Sequence, residues 1–283
     1  MIFNNSVYII GASGFIGKKL FNFLDITNKF SVGRHDNDTY IDLTKSDFSE
    51  FFSIVKKDDV VVFLAAISSP DVCERNYEEA YKINVTNTVY LIGSLLKKGV
   101  KVLFTSSDAV FGTSETVCFD DSEKSPFGKY GKMKSEVEEH FKHDRNFFSI
   151  RLSYVLAEDD KFSMMIAEHA HTGKNLDVFD GFERNVIALE DVLLGIQNII
   201  KFWDDIDTRV INFSGKDLVS RQNIVTELAK QKYPELVYSF IDAPDIFWQG
   251  RPKVIKTGSK FLESILNRPT KSYKDCIKEY SSK

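Results

Sequence analysis

Cysteine and long apolar runs are both scarce in this sequence. Its 283 residues include three cysteines, Cys73, Cys118 and Cys276, and this odd, scattered set predicts neither a disulfide framework nor a cysteine metal site. The longest apolar run, residues 60–67, is far too short to cross a bilayer, and residues 1–10 lack the basic start of a signal peptide. We therefore expect a cytoplasmic protein without a membrane-spanning segment.

Excess positive charge and metal-binding histidine patterns are also missing. The formal net charge is −4, which gives no bulk attraction to nucleic acid or to an anionic membrane. The five histidines show no spacing typical of a metal ligand set. We therefore predict no metal, no nucleic acid and no membrane partner. Hydrophobic residues make up 43% of the chain, which is enough for a packed core.

The most informative motif lies at residues 7–17, VYIIGASGFIG. Four apolar or aromatic residues predict a buried strand, and the three glycines predict a tight turn into a helix that begins near Phe15. The free N–H groups and positive dipole of a helix start suit a pyrophosphate; the alternative is an ordinary glycine turn. The predicted cofactor-binding residues of this motif are Gly11, Ser13, Gly14, Phe15, Ile16 and Gly17.

Strand-like and helix-like segments alternate along the chain. Strands are predicted at residues 7–10, 30–32, 40–43, 60–65, 102–106, 148–152, 176–179 and 209–213, and helices at 16–24, 77–98, 130–141, 162–170, 190–202 and 222–232. Strands separated by crossover helices imply a parallel sheet with right-handed connections. We therefore predict an α/β fold with a Rossmann-type doubly wound sheet. A dinucleotide-binding domain would cover residues 1–155, and a smaller substrate-binding lobe 156–283, with some chain crossing back.

The end of the second predicted strand, Val32-Gly33-Arg34, bears on the type of cofactor. An acidic residue at this place would bond the ribose hydroxyl of NAD, whereas an arginine pairs well with the 2′-phosphate of NADP. We predict that Arg34 binds this phosphate and that NADP(H) is preferred, with NAD(H) possible. The alternative is a solvated arginine in a turn.

Tyr130 and Lys134 have the spacing of an acid–base pair. Four residues apart on a helix, they share one face, although about one such match is expected by chance. They follow a predicted strand that ends at Ser107, where a parallel sheet opens its cleft. A nearby ammonium and a nicotinamide cation would lower the pKa of the Tyr130 phenol, so that it exchanges a proton near neutral pH. Ser107 would hold the reacting carbonyl.

Taken together, the motifs resemble the extended short-chain dehydrogenase/reductase family over most of the chain. They are GASGFIG at 11–17, Asp42-Leu43, Leu64-Ala65-Ala66, Asn84, SSDAVFG at 106–112 and YGKMK at 130–134. The resemblance implies that Asp42 and Leu43 flank the adenine and that Ala65 and Ala66 line the cofactor. It also implies that Ser107, Tyr130 and Lys134 are catalytic, and that Lys134 binds the nicotinamide ribose. Asn84 corresponds to a structural position, so we expect it to bond buried backbone.

Within that family the chain is most similar to the nucleotide-sugar 4-keto reductases, such as the dTDP-4-dehydrorhamnose reductases. The likeness lies in residues 71–74, 107–111 and 251–253. Ala109 departs from the tyrosine that is common in these reductases, and Ser107 replaces their threonine. Arg184 resembles the arginine with which epimerases meet a nucleotide phosphate.

Two arginines are candidates for binding the substrate. Because arginine offers a rigid fork of donors to a phosphate, we predict that Arg184 and Arg251 clamp the diphosphate of a nucleotide sugar, with Ser107 and Asp108 also at the substrate. The alternative for either arginine is a surface salt bridge. The aromatic residues that would stack on the base, if they do not belong to the core, are Phe182, Phe247 and Trp248.

These expectations combine into one reaction. We predict NAD(P)H-dependent reduction of a nucleotide-linked 4-keto-6-deoxy sugar, in deoxysugar and polysaccharide biosynthesis. One alternative is an epimerase or dehydratase that recycles a tightly bound NAD, and another is a non-catalytic NADP-binding regulatory subunit. A homodimer is possible, because exposed helices of this fold often pair.

Overall fold

A seven-stranded parallel sheet forms the centre of the protein. The structure is a computed structural model, and it describes residues 5–281. In chain order the strands are β1 (Val7–Ile10), β2 (Lys29–Gly33), β3 (Thr39–Tyr40), β4 (Val60–Phe63), β5 (Lys101–Ser107), β6 (Phe147–Leu152), β7 (Val155–Leu156), β8 (Leu176–Phe179), β9 (Glu183–Asn185), β10 (Ile187–Ala188), β11 (Val210–Phe213), β12 (Leu218–Ser220), β13 (Tyr238–Ile241) and β14 (Val254–Ile255).

The large sheet has the order β11-β6-β5-β4-β1-β2-β3, and every neighbouring pair in it is parallel. This arrangement confirms the predicted Rossmann-type α/β fold. The chain leaves β1 in one direction for β2 and β3, and then returns to the other side of β1 for β4. A crevice therefore opens beyond the carboxyl ends of β1 and β4, where such sheets bind ligands.

Helices connect the strands. They are α1 (Phe15–Phe23), α2 (Ser49–Ile54), α3 (Pro70–Arg75), α4 (Tyr77–Tyr81), α5 (Thr88–Lys97), α6 (Gly128–Phe141), α7 (Lys161–Thr172), α8 (Leu189–Lys201), α9 (Arg221–Gln231), α10 (Asp245–Trp248), α11 (Leu262–Leu266) and α12 (Tyr273–Ser281). A π-helical segment, Lys82–Asn87, joins α4 to α5, and short 3₁₀ segments cover Asp108–Phe111 and Trp203–Asp205. Within residues 5–281, no helix combines the length and apolarity needed to cross a membrane.

The sheet is apolar on both faces because helices cover both. Along β1, Tyr8 and Ile10 enter the cluster that contains side chains of α5 and α6. Val7 and Ile9 enter the opposite cluster, with side chains of α1 and α8. A strand buried on both faces reads as a continuous apolar run rather than an alternating one, which is why residues 7–10 are recognisable from sequence.

The second half of the chain contributes both to the sheet and to a separate cluster. Strand β11 pairs with β6, and α8 packs on the face of the sheet that carries Val7 and Ile9. Side chains of α7, α9 and α12 form another core with β8. The boundary at residue 155 stays a prediction.

Candidate functional site

The turn between β1 and α1 is built from glycines that leave no space for side chains. Gly11 has φ +90°, and a Cβ on Gly17 would lie 2.2 Å from the Gly11 carbonyl oxygen. Gly14 stands at the N-cap of α1, where no side chain caps the helix. The amide groups of the first turn of α1 therefore stay available to an anionic ligand. The predicted cofactor-binding residues Ser13, Phe15 and Ile16 belong to this turn.

The predicted adenine end lies beyond β2 and β3. Arg34 directly follows β2 and is exposed. Partial burial acts to raise the pKa of Asp42, but hydrogen bonds from Thr44 together with the charges of Arg34 and Lys45 lower it overall. Leu43 is buried beside Asp42, and its carbonyl accepts a hydrogen bond of 2.7 Å from Asn87. Arg34, Asp42 and Leu43 thus lie at one edge of the crevice.

Ala65 and Ala66 lie just past the end of β4, since this strand stops at Phe63 rather than at residue 65 as predicted. A Cβ on Gly11 would be 2.9 Å from the Ala65 amide nitrogen, so the glycine turn and this segment touch. Asn84, in the π-helical segment, accepts from Ile67 N at 2.8 Å and donates to Ile67 O at 2.9 Å. It bonds the backbone of Ile67, which is partly buried, whereas the sequence predicts a bond to buried backbone.

Ser107 ends β5 and caps the 3₁₀ segment that follows. Its Oγ accepts from Ala109 N at 3.2 Å and donates to Asp108 Oδ1 at 3.1 Å. Asp108 is buried, which raises its pKa although neighbouring Arg184 and Ser153 oppose the shift. Ser153 donates to Asp108 Oδ2 at 3.0 Å. The end of β5 therefore presents a hydroxyl that a buried carboxyl group orients.

Tyr130 and Lys134 lie on α6, which packs against this end of β5. The Lys134 ammonium donates to Thr105 O at 2.7 Å and lies 6.0 Å from the centre of the Tyr130 ring. Gly131, between them, allows the approach, because a Cβ there would be 2.5 Å from the Ala109 carbonyl oxygen. The structure thus brings the pair to the strand end that carries Ser107.

The protonation of this pair differs from the expectation. Burial, with smaller contributions from Cys73 and Asp108, raises the pKa of Tyr130, so the predicted lowering by Lys134 is not found. Burial also lowers the pKa of Lys134 to about 7, against the opposing effect of Glu138. The physical reason is that both side chains lie in an apolar environment, where a charge loses its hydration.

Arg184, predicted to bind phosphate, is buried and already has partners. Its Nη1 and Nη2 donate to three backbone carbonyls, those of Glu183, Lys253 and Pro252, at 2.6–2.8 Å. Its Nε lies 3.6 Å from Asp108 Oδ2. Arg184 thereby connects the C-terminal segment to the end of β5.

Arg251, the other predicted phosphate ligand, forms a two-pronged ion pair with Asp71 of α3. Next to it, Gly128 and Gly250 meet so closely that a Cβ on Gly128 would lie 2.5 Å from Gly250 O. A Cβ on Gly250 would lie 2.7 Å from Glu74 Oε1, which accepts from Lys129 N at 2.8 Å. We call the contact of Glu74, Gly128 and Gly250 the glycine junction; it lies two residues from Tyr130.

Sequence reasoning missed one charged residue of this region, Arg221, the first residue of α9. Phe182 and Phe247, considered as base-stacking residues, contact its guanidinium at 4.9 and 5.2 Å. The local sequence signals only a helix start, for Ser220 and Asn223 form a capping box. In the described part of the chain, no group of three or more metal-ligating side chains occurs.

Comparison with known proteins places the chain in a family. The family model of the RmlD substrate binding domain matches residues 5–232. The chain is 32% identical over 258 residues to the N-acetyl-alpha-D-glucosaminyl-diphospho-ditrans,octacis-undecaprenol 4-epimerase of Escherichia coli O157:H7, covering 86% of this chain and 69% of that protein. It is 30% identical over 133 residues to the dTDP-4-dehydrorhamnose reductase of Aggregatibacter actinomycetemcomitans, covering 46% of this chain and 44% of that reductase.

Among solved structures, MoeE5 in complex with UDP-glucose and NAD superposes with a TM-score of 0.82 at 20% identity, covering 96% of both chains. At this identity the likeness supports the fold. The family model covers residues 5–232, which is most of the chain. The chain therefore belongs to the extended short-chain dehydrogenase/reductase family, in a branch of NAD(P)-dependent reductases and epimerases whose sugar substrates carry a diphosphate link.

Proposed function

We propose that this protein reduces a nucleotide-linked 4-keto-6-deoxy sugar with NAD(P)H. The observation that carries the proposal is the convergence of Ser107, Tyr130 and Lys134 at the carboxyl end of β5. Lys134 donates to the β5 backbone at Thr105 O, and the crevice also contains the glycine turn. The dTDP-4-dehydrorhamnose reductase relative supports a keto sugar as the substrate class.

The residues of the turn fit a dinucleotide. The uncapped start of α1 suits a pyrophosphate. The close packing at Gly17, where a Cβ would lie 2.2 Å from Gly11 O, holds the turn against this helix start. Asp42 and Leu43 would flank the adenine, Ala65 and Ala66 would line the nicotinamide half, and Lys134 would bind its ribose. When bound, the reduced nicotinamide supplies the hydride.

Within this site Tyr130 is the proton donor. Burial raises the pKa of its phenol, so the hydroxyl is protonated at neutral pH and ready to protonate an oxygen that gains negative charge. Ser107 Oγ, held between Asp108 and Ala109 N, orients the substrate oxygen by a hydrogen bond. A positively charged Lys134 would favour transfer of the Tyr130 proton, because it stabilises the phenolate that remains.

NADP(H) is the preferred cofactor in this proposal. Arg34 is exposed beyond β2, in the position where a guanidinium meets a 2′-phosphate. Arg34→Ala should raise the KM for NADPH about 10-fold and leave the KM for NADH unchanged. A lower KM for NADH than for NADPH in the wild type would contradict the preference.

The experiment for the reaction is a panel of nucleotide 4-keto sugars with NADPH or NADH, followed by nicotinamide absorbance and by NMR of the products. Tyr130→Phe should lower kcat at least about 100-fold while NADPH binding stays intact. Tyr90→Phe, which alters an exposed tyrosine of α5, is the matched control. Activity retained in Tyr130→Phe would refute the assigned role.

A second candidate is a 4-epimerase, favoured by the epimerase relative that aligns with 86% of the chain. An epimerase would copurify with cofactor and turn over without added NADPH, whereas a reductase consumes one NADPH for each product. Measuring nicotinamide consumption against product therefore separates the two. The homodimer and the cytoplasmic location remain predictions from the sequence.

A further inference from the structure

Three arginines and two phenylalanines form an alternating series, which we call the arginine stack. The guanidinium carbon of Arg184 lies 4.1 Å from the centre of the Phe182 ring, and that of Arg221 lies 4.9 Å from the same ring. Arg221 is also 5.2 Å from the Phe247 ring, which Arg251 approaches to 4.7 Å. Each ring therefore contacts two guanidinium groups, and Arg221 is common to both.

The two outer arginines of the stack are neutralised within the protein. Arg184 lies 3.6 Å from the Asp108 carboxylate, and its Nη atoms donate to three backbone carbonyls. Arg251 pairs with Asp71 through both Nη atoms and also donates to Phe247 O at 3.0 Å. These contacts hold the stack in place and use most of the N–H donors of Arg184 and Arg251.

Arg221 has neither kind of partner. Among the described residues its side chain makes no hydrogen bond or ion pair, and its Nε is buried without an acceptor. Asp160 acts on Arg221 electrostatically, but its hydrogen bonds go elsewhere: it accepts from the Tyr154 hydroxyl at 2.6 Å and from Ser163 Oγ at 2.7 Å. A buried donor without an acceptor is costly, and Arg221 differs from Arg184 and Arg251 in having no carboxylate at ion-pair distance.

We propose that Arg221 is the arginine of this stack that binds a phosphate of the sugar diphosphate. This inference rests on the proposed function and deepens it, because it assigns substrate binding to a residue that no motif indicates. Arg184 and Arg251 position Phe182 and Phe247 around it, and these rings restrict the Arg221 side chain before the ligand arrives. A phosphate accepts from the edge of a guanidinium in a two-pronged fashion, and it would supply both the missing acceptor and a direct ion-pair partner.

The test measures the binding of UDP, dTDP, inorganic pyrophosphate and uridine by calorimetry to wild type, Arg221→Met and Arg221→Lys. Arg221→Met should weaken binding of the preferred nucleoside diphosphate about 10- to 100-fold and leave NADPH affinity and Tm close to wild type. Arg221→Lys should recover only part of the affinity, because lysine lacks the planar fork. Uridine binding should not change.

The matched control is Arg209→Met. Arg209 stacks on Phe148 and Trp203 at 5.8–5.9 Å, but its guanidinium is bonded to backbone carbonyls outside the crevice. Equal nucleotide affinity in wild type and Arg221→Met would overturn the inference while the proposed function stands. Wild type that binds NADPH but none of the three phosphate probes would instead overturn the proposed function.

A carboxylate on the sugar is the competing anion. If Arg221→Met binds UDP normally and loses only its affinity for UDP-glucuronate relative to UDP-glucose, then Arg221 meets the sugar and not the diphosphate. That outcome also overturns the inference.

Discussion

Lys134 should make the protein more stable as the pH rises from 7 to 9. Burial lowers the pKa of this lysine from 10.5 to about 7, so between these values the folded protein binds fewer protons than the unfolded chain. The free energy of unfolding therefore increases with pH in this window. The charged Lys134 lowers the free energy of unfolding by its full amount at pH values below its pKa in the folded protein. This cost is absent at pH values above its pKa in the unfolded chain.

The magnitude follows from the displacement of the pKa. At about 1.4 kcal/mol per pH unit, the lowering from 10.5 to about 7 corresponds to about 5 kcal/mol. Roughly 2 kcal/mol of this should be regained between pH 7 and pH 9. This is large compared with the total stability of about 5–15 kcal/mol that is typical of proteins.

Urea unfolding at pH 7, 8 and 9 measures the effect. Lys134→Met should remove this part of the pH dependence, because methionine keeps the apolar contacts and carries no charge. Lys132→Met is the matched control, since Lys132 is exposed two residues away on α6, and it should keep the wild-type slope. If Lys134→Met and wild type gain the same stability between pH 7 and pH 9, the reasoning is refuted.

Three further substitutions test other contacts. Gly17→Ala should weaken NADPH binding at least about 10-fold in a fluorescence titration. The new Cβ would lie 2.2 Å from the Gly11 carbonyl oxygen and would displace the glycine turn. Gly93→Ala is the control and should bind NADPH normally, because its Cβ would have ordinary contacts at 3.6 Å. Asp108→Asn should lower the free energy of urea unfolding by about 3 kcal/mol, since Arg184 loses its buried counter-charge; unchanged stability would contradict the ion pair. Asn84→Ala should cost about 1 kcal/mol in the same assay, because the partly buried N–H and C=O of Ile67 lose their partner. A cost near zero would mean that water replaces the side chain.

The parts of the fold that the sequence predicts well are those in which burial alone sets the residue type. Strand β1 occupies residues 7–10 as predicted, because a strand covered on both faces must be apolar throughout. The helix predicted over residues 77–98 is interrupted by the π-helical segment Lys82–Asn87. Hydrophobic periodicity does not reveal such a local π-helical segment, which contains Asn84 and its hydrogen bonds to Ile67.

The site is predictable where one short segment builds it and not where distant segments meet. The glycine turn is predicted from its spacing, and the Tyr130–Lys134 pair is predicted from its spacing together with the strand that precedes it. The partners of Arg184, the isolation of Arg221 and the raised pKa of Tyr130 depend on contacts across the fold and on burial. Single-sequence patterns carry no record of such contacts.

The glycine junction limits how this enzyme can be recombined with its relatives. Glu74, Gly128 and Gly250 come from three separate stretches of the chain but pack directly against one another. A side chain at position 128 would clash with Gly250, and a side chain at position 250 would clash with Glu74. A chimera with a crossover between residues 128 and 250 would inherit only part of this fit unless the donor also has glycine at both places. Library designs that exchange the second half of the chain should therefore carry positions 74, 128 and 250 as one inherited unit.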